Sequence, residues 1–181
     1  MGLKSNRGLN ILHLGANTIT DTGAASISEG LLDNYTLQKL RINNNKLTDK
    51  GVASICDTLA ANPHLHELEL ELNTGVTPRL EKRVADLLQR NQKLRAITAD
   101  EFNAYDALKL AGFMKTIGFE EQGFFMKAFG AYNAIERVKE AAITGSGVFG
   151  ASVENLIALG FSINDANVLR KFVCRLFKLR I

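Results

Sequence analysis

The sequence predicts an α/β fold in which similar strand–helix units are stacked, followed by a small and mostly helical domain. The first observation is a period. Asparagines recur at intervals of 28, 28 and 29 residues, at Asn6, Asn34, Asn62 and Asn91. The second is an alternation of apolar and polar residues within each repeat, which is typical of a strand with one buried face. The third is that all ten phenylalanines lie after the repeats. A fixed period of this length indicates units that bury their apolar faces only against their neighbours.

Each repeat is predicted to contain a short strand that starts three residues after the asparagine. In the second repeat, Leu40 and Ile42 alternate with Lys39, Arg41 and Asn43. Because successive side chains of a strand point to opposite faces, the leucines are expected on the buried face. The equivalent leucines of the three strands, Leu12, Leu40 and Leu68, are predicted to stack in a single buried column across the repeats.

A helix is predicted after each strand. Its start is marked by Thr20, by Thr48 and by the pair Thr77-Pro78. Threonine at the N-cap satisfies free backbone donors, and proline fits the first helical position. The residues that follow have apolar side chains at helical spacing. The predicted unit is therefore strand, turn, helix and return.

These residues carry a family resemblance. Positions 9–23 and 37–51 share the pattern Leu-x-x-Leu-x-[Leu/Ile]-x-x-Asn-x-[Leu/Ile]-Thr-Asp-x-Gly. This pattern resembles the leucine-rich repeat of the ribonuclease-inhibitor type, over about residues 1–99. The resemblance implies a solenoid with parallel strands on a concave face and helices on a convex face. It also implies a structural ladder of asparagines that bind the turn backbone, formed by Asn17, Asn45 and Asn73.

The third repeat carries a second resemblance. Gly75-Val76 replaces the expected apolar turn position, and Leu80 stands where the other repeats have glycine. The stretch 65–94 resembles the last repeat of tropomodulins and leiomodins, which cap or nucleate actin filaments. That resemblance implies actin or another cytoskeletal protein as partner and, as an alternative function, a tropomodulin-like regulator of the pointed end of actin filaments. The aromatic and basic tail that follows this repeat in tropomodulins is not recognisable here, so no actin-binding residue is carried over.

The outward positions of the strands are the candidate partner-binding surface. These outward positions form rows across neighbouring strands, and a fourth, terminal strand is expected to extend the rows with Ala96, Thr98 and Asp100. The chosen contact residues are polar or charged and sit on neighbouring strands, namely His13, Lys39, Arg41, Asn43, Glu67, Glu69 and Glu71. Two interpretations stay open. The charges form cross-strand ion pairs on a solvated face, or they form a binding face with a positive edge beside a negative one.

The start of the sequence matches the end of a repeat. Leu3-Lys-Ser-Asn6 aligns with Leu59-Ala-Ala-Asn62. An open end of a repeat array exposes a strand edge and apolar surface. The expectation is that the chain belongs to a longer array or that a partner covers its first strand.

Residues 100–181 are predicted to form a separate helical domain with a phenylalanine-rich core. Helical spacing covers 104–116, 120–129, 133–143, 152–159 and 163–178, and glycines at 118, 130 and 160 mark helix ends. Residues 106–138 resemble the end of a PUB domain, which implies an adaptor for the tail of a AAA ATPase. Residues 113–119 with 153–161 are instead similar to a SAM domain, which implies dimers or polymers. Both resemblances imply protein binding.

The last predicted helix has two open interpretations. Its apolar stripe contains Leu169, Phe172, Val173, Leu176 and Phe177, and basic residues cover the rest. A basic amphipathic helix of this kind binds calmodulin or anionic lipid. The favoured alternative is that it closes the helical domain and turns its basic side to solvent.

Catalytic and metal-binding patterns are weak. Gly145-Ser-Gly-Val-Phe-Gly150 fits the dinucleotide fingerprint, but a helix and not a strand is predicted before it, so a flexible loop is favoured over a nucleotide-using enzyme. His64 and His66 with Glu67 are too few for a metal site. No catalytic residue, cofactor or metal is therefore predicted.

Net charge, cysteine content and targeting segments indicate the kind of partner and the compartment. The formal net charge of +3 implies neither nucleic acid nor a membrane as partner. Cys56 and Cys174 fall in apolar helical patterns, which is typical of buried thiols in a reducing compartment. No secretion signal or membrane span is recognised. The prediction is a cytoplasmic, non-catalytic protein-interaction or scaffold module, with a role in the cytoskeleton as a narrower hypothesis.

Overall fold

The computed structural model describes residues 2–117, 144–159 and 161–177. The chain divides into two compact units, residues 1–95 and 96–181. The first unit contains three strands, β1 (Ile11–His13), β2 (Lys39–Arg41) and β3 (Glu67–Glu69). Its described helices are α1 (Gly2–Ser5), α2 (Asp21–Leu32), α3 (Asp49–Ala61) and α4 (Pro78–Arg95). The helix starts predicted after Thr20 and Thr48 and at Pro78 are confirmed.

The three strands form one parallel sheet in the order β1-β2-β3. The pairing register aligns Leu12 with Leu40 and Leu40 with Leu68, so the expected column of leucines is present. Parallel neighbours of this kind need a crossover, and α2 and α3 supply it. Helix α2 packs against α3, and α3 packs against α4. The core between the sheet and the helices contains Leu31, Leu37, Leu40, Ile42, Leu47, Ile55, Leu59 and Leu65, all almost completely buried.

The structure differs from the expected terminal strand. Helix α4 continues to Arg95, the next helix begins at Ala99, and the sheet contains three strands. Ala96, Thr98 and Asp100 therefore do not extend the outward rows. The sequence explains the difference, because Asn62 is followed by Pro63, whereas Asn91 is followed by the helix formers Gln92 and Lys93.

The second unit is helical in its described part. Its helices are α5 (Ala99–Asn103), α6 (Ala107–Thr116), α7 (Gly145–Phe149), α8 (Val153–Ala158) and α9 (Ile163–Phe177). The ring of Phe102, which is fully buried, lies 4.9 Å from that of Phe113 and 5.2 Å from that of Phe177, measured between centroids. The apolar side of α9 is buried through Leu169, Phe172, Val173 and Leu176, which favours the closing-helix interpretation. The predicted helices 120–129 and 133–143 lie outside the described residues.

The expected flexible loop at Gly145–Gly150 is wrong, since Gly145–Phe149 is a short helix. The Thr144 hydroxyl accepts a hydrogen bond from the Gly147 amide at 3.3 Å and caps it. The Gly145 amide donates to the Tyr105 carbonyl at 2.8 Å. A Cβ atom on Gly145 would collide with the Phe102 carbonyl oxygen, so glycine is needed for this close packing of backbones.

Candidate functional site

The outward strand residues lie side by side because the strands pair in register. Ile11, Lys39 and Glu67 form one row across the sheet. His13, Arg41 and Glu69 form the next row. We call these two rows, with the following row Gly15, Asn43 and Glu71, the strand face. Neighbouring parallel strands are about 4.8 Å apart, so charged side chains in one row are within reach of each other.

The four charges in the middle of the strand face are paired. Lys39 Nζ lies 2.9 Å from Glu67 Oε2 and 3.0 Å from Glu69 Oε1. Arg41 Nε lies 2.9 Å from Glu69 Oε1. Hydrogen bonds to Glu67 and Glu69 raise the pKa of Lys39, and the hydrogen bond from Lys39 lowers the pKa of both carboxyls. The structure thus brings these predicted residues together as a cross-strand network.

The third row differs from the first two. The Ala16 amide donates to the Asn43 carbonyl at 3.0 Å, and the Asn44 amide donates to the Glu71 carbonyl at 2.8 Å, so the chains stay paired here. A Cβ on Gly15 would lie 2.5 Å from Asn43 Oδ1, which explains glycine at this position. Glu71 is exposed and has no ion pair with any residue that the structure describes.

The turn after each strand has one residue with a left-handed backbone. These residues are Ala16, Asn44 and Leu72, with φ angles of 57°, 50° and 62°. Leu72 is 71% exposed. Sequence reasoning missed Leu72, although a signal exists: it precedes the ladder asparagine at a position where the other repeats carry a small or polar residue.

The asparagines predicted to form a ladder bind the turn backbone. Asn45 Nδ2 donates to the Leu14 carbonyl of the preceding repeat at 2.9 Å, and its Oδ1 accepts from the Ile19 amide at 2.9 Å. Asn73 repeats this arrangement with the Ile42 carbonyl at 3.0 Å and the Leu47 amide at 3.1 Å. Asn17, which is exposed, donates to carbonyls of its own turn, Leu14 and Gly15. The side chains of these three asparagines therefore stabilise the turns.

The asparagines that define the period form a second ladder, at the ends of the helices. Asn62 Nδ2 donates to the carbonyls of Leu31 and Asn34, both at 2.6 Å. Asn34 and Asn91 make the same type of bonds to the repeat before them. All three side chains are buried. The 28-residue period therefore has a direct cause, because each of these asparagines binds the backbone of the repeat before it.

Aspartates link the helix starts of successive repeats. Asp21 accepts from the Thr48 amide at 2.9 Å, from the Thr48 hydroxyl at 2.7 Å and from the Gly51 amide at 3.0 Å. Hydrogen bonds from Thr48 lower the pKa of Asp21. Asp49 binds Thr77 in the same way. The Thr-Asp pair of the sequence motif thus connects one repeat to the next.

One histidine and both cysteines are buried. His66 is buried, with Nδ1 2.9 Å from the His64 carbonyl oxygen and Nε2 3.0 Å from Arg95 Nη1. Among the residues described, no group of three or more histidine, cysteine or acidic side chains could hold a metal ion. Cys56 and Cys174 are both buried, and burial raises the pKa of Cys56 to about 11. In the described part of the chain, every helix is too short or too polar to cross a membrane.

Comparison with known proteins finds a match for two stretches of the repeats. Residues 5–28 and 33–56 match a family model described as Leucine Rich repeat. Searches of curated proteins and of solved structures found no match. The narrower resemblances, to the ribonuclease-inhibitor type, tropomodulins, PUB domains and SAM domains, stay predictions. The two matched stretches support a leucine-rich repeat protein, a class that generally mediates protein–protein interaction and is typically not enzymatic.

Proposed function

We propose that the first unit is a non-catalytic protein-interaction module and that the strand face is its contact surface. The observation that carries this proposal is the sorting of side chains on the sheet. Leu40, with its neighbours in the column, points into the core, while the outward rows hold polar and charged residues in register, apart from Ile11 and Gly15. One face of the sheet stabilises the fold, and the other is left for recognition.

The arrangement of elements supports a solenoid as the form of this module. The strands pair in chain order, and the helices pack on each other in the same order. In such an array each repeat contacts only its neighbours, and the strands line one extended surface. The strand face is the concave side under this proposal, and α2, α3 and α4 form the convex side.

A charge exchange on the strand face tests the proposal. The double variant Arg41→Glu with Glu69→Arg reverses both charges but keeps an opposite pair at the position of the 2.9 Å contact. We expect it to retain the melting temperature of the wild type and to lose the partners that the wild type captures. The measurement is quantitative mass spectrometry of proteins captured from the source cell, with circular dichroism for stability.

A matched exchange on a helix serves as the control. Lys82 and Asp86 form an exposed ion pair on α4, with 2.7 Å between Nζ and Oδ2. The variant Lys82→Asp with Asp86→Lys should capture the same partners as the wild type. If the strand-face exchange also leaves every partner bound, the strand face is not the contact surface.

A further inference from the structure

Leu72 occupies a backbone conformation that disfavours leucine. Its φ angle is 62°, in the left-handed region where the Cβ atom of an L-residue crowds the carbonyl oxygen. Asn44, the equivalent residue of the second repeat, has a φ of 50°. Asparagine adopts this region readily, because its short side chain binds the local backbone. The turn itself therefore favours asparagine or glycine over leucine.

Packing within the unit does not explain the leucine either. Leu72 is 71% exposed, more than Ile11 at 53%, the other large apolar residue exposed at the sheet. An apolar side chain in water gains no burial that could offset the strained backbone. The turn has a left-handed residue in every repeat, but Ala16 and Asn44 show that this residue need not be a large apolar one. A residue poorly suited to its backbone conformation is a feature of functional positions. The leucine is accounted for if its side chain becomes buried against another molecule.

The neighbouring carboxylate indicates the charge of that molecule. Glu67 and Glu69 are neutralised by Lys39 and Arg41. Glu71 has no such partner among the described residues, and it precedes Leu72 in the chain. The end of the strand face, together with the turn that follows it, thus combines an apolar side chain with an uncompensated negative charge. A lysine or arginine would complement it, whereas a nucleic acid or an anionic lipid surface would be repelled.

Resting on the proposed function, we infer that Glu71 and Leu72 form the anchor of the strand face, and that they bind a protein segment in which apolar side chains stand beside a lysine or arginine. The apolar side chains cover Leu72, and the cation pairs with Glu71. This identifies the kind of partner that the module recognises.

The test uses a displayed library of random peptides selected on the full-length wild-type chain. We expect the enriched peptides to combine apolar residues with lysine or arginine. Their affinity should fall at least about tenfold for Leu72→Asn, as for an interface anchor residue. The melting temperature of Leu72→Asn should equal or exceed that of the wild type, because asparagine relieves the backbone. Glu71→Lys should disfavour the same peptides and should enrich acidic ones in a parallel selection.

The control is Leu108→Asn, which changes another leucine that is 74% exposed. It should leave the affinity of the peptides unchanged. The anchor is wrong, and the proposed function stands, if the peptides lose binding to the Arg41/Glu69 exchange variant but still bind Leu72→Asn. The same conclusion follows if the selected peptides are acidic. If every selected peptide is insensitive to all substitutions on the strand face, both the anchor and the proposed function fail.

Discussion

The polar side chains of the first unit connect residues far apart in sequence, whereas the helix caps of the second unit are local. Asparagines and aspartates of the repeats bind backbone groups 26 to 32 residues away, as Asn62 does with Leu31. In the second unit, the caps at Thr98, Ser152 and Ser162 bind groups three residues away. The first unit is therefore aligned by directional bonds between repeats, and the second by packing of its aromatic side chains.

This difference determines which features a sequence can reveal. A buried amide needs its partners at fixed positions, so the asparagines recur with the period of the fold. Apolar contacts are not directional, and many arrangements of short helices bury phenylalanines equally well. Substitutions that remove one kind of contact at a time test whether the two units differ in this way.

The largest effect is expected from Phe102→Ala in the second unit. Phe102 is fully buried and contacts the rings of Tyr105, Phe113, Phe149 and Phe177. Its loss leaves a cavity at the centre of the aromatic cluster and should cost about 3–5 kcal/mol. Hydrogen–deuterium exchange should become faster in peptides that cover α6 and α9. Unchanged exchange there would show that the aromatic cluster does not hold these helices.

The next effect is expected from Asn62→Ala in the first unit. The change removes the hydrogen bonds that join Asn62, which is 2% exposed, to the carbonyls of Leu31 and Asn34 and to the amide of His64. The loss of these bonds in a buried site should reduce the free energy of unfolding by about 2–4 kcal/mol. Urea unfolding followed by circular dichroism measures this loss.

Asn17→Ala is the matched control for Asn62→Ala. Asn17 is exposed and binds only carbonyls of its own turn, which water can satisfy after the change. We expect the free energy of unfolding to fall by less than about 1 kcal/mol. Equal losses for the two variants would contradict the idea that bonds between repeats, and not asparagine as such, align the first unit.

Particular residues show how far sequence reasoning reached. The parallel order, the helix starts and the rows of the strand face were predictable, because each depends on a residue that recurs with the period. The end of α4 was not, since Asn91 keeps the asparagine of the motif but is followed by helix-forming residues. Leu72 was missed because its significance depends on a φ angle and an exposed surface. The helix at Gly145–Phe149 was missed because glycines that indicate a loop serve here for close packing against Phe102.

A smaller effect, dependent on pH, is expected from Asp21→Ala. Asp21 joins two repeats through Thr48 and Gly51, and at neutral pH its loss should cost about 1–2 kcal/mol. The fold lowers the pKa of Asp21 below its ordinary value of 3.8, so the stability from this carboxylate is complete above that value. It is lost as the pH falls toward the lower pKa of the folded state. The difference in the free energy of unfolding between wild type and variant, measured by urea titration, should therefore shrink below about pH 4. A difference that does not change as the pH is lowered would show that the charge of Asp21 does not contribute to stability.

A small effect is expected from Ser152→Ala, which removes a local cap in the second unit. The Ser152 hydroxyl accepts from the Asn155 amide at 3.2 Å and donates to Asn155 Oδ1 at 2.8 Å, at the start of α8. Loss of such a cap should cost about 1 kcal/mol in a urea titration. Ser26→Ala, in the middle of α2, should be neutral or slightly stabilising, because alanine is the better helix former there. A loss for Ser152→Ala as large as that for Asn62→Ala would mean that local polar bonds align the second unit as strongly as bonds between repeats align the first.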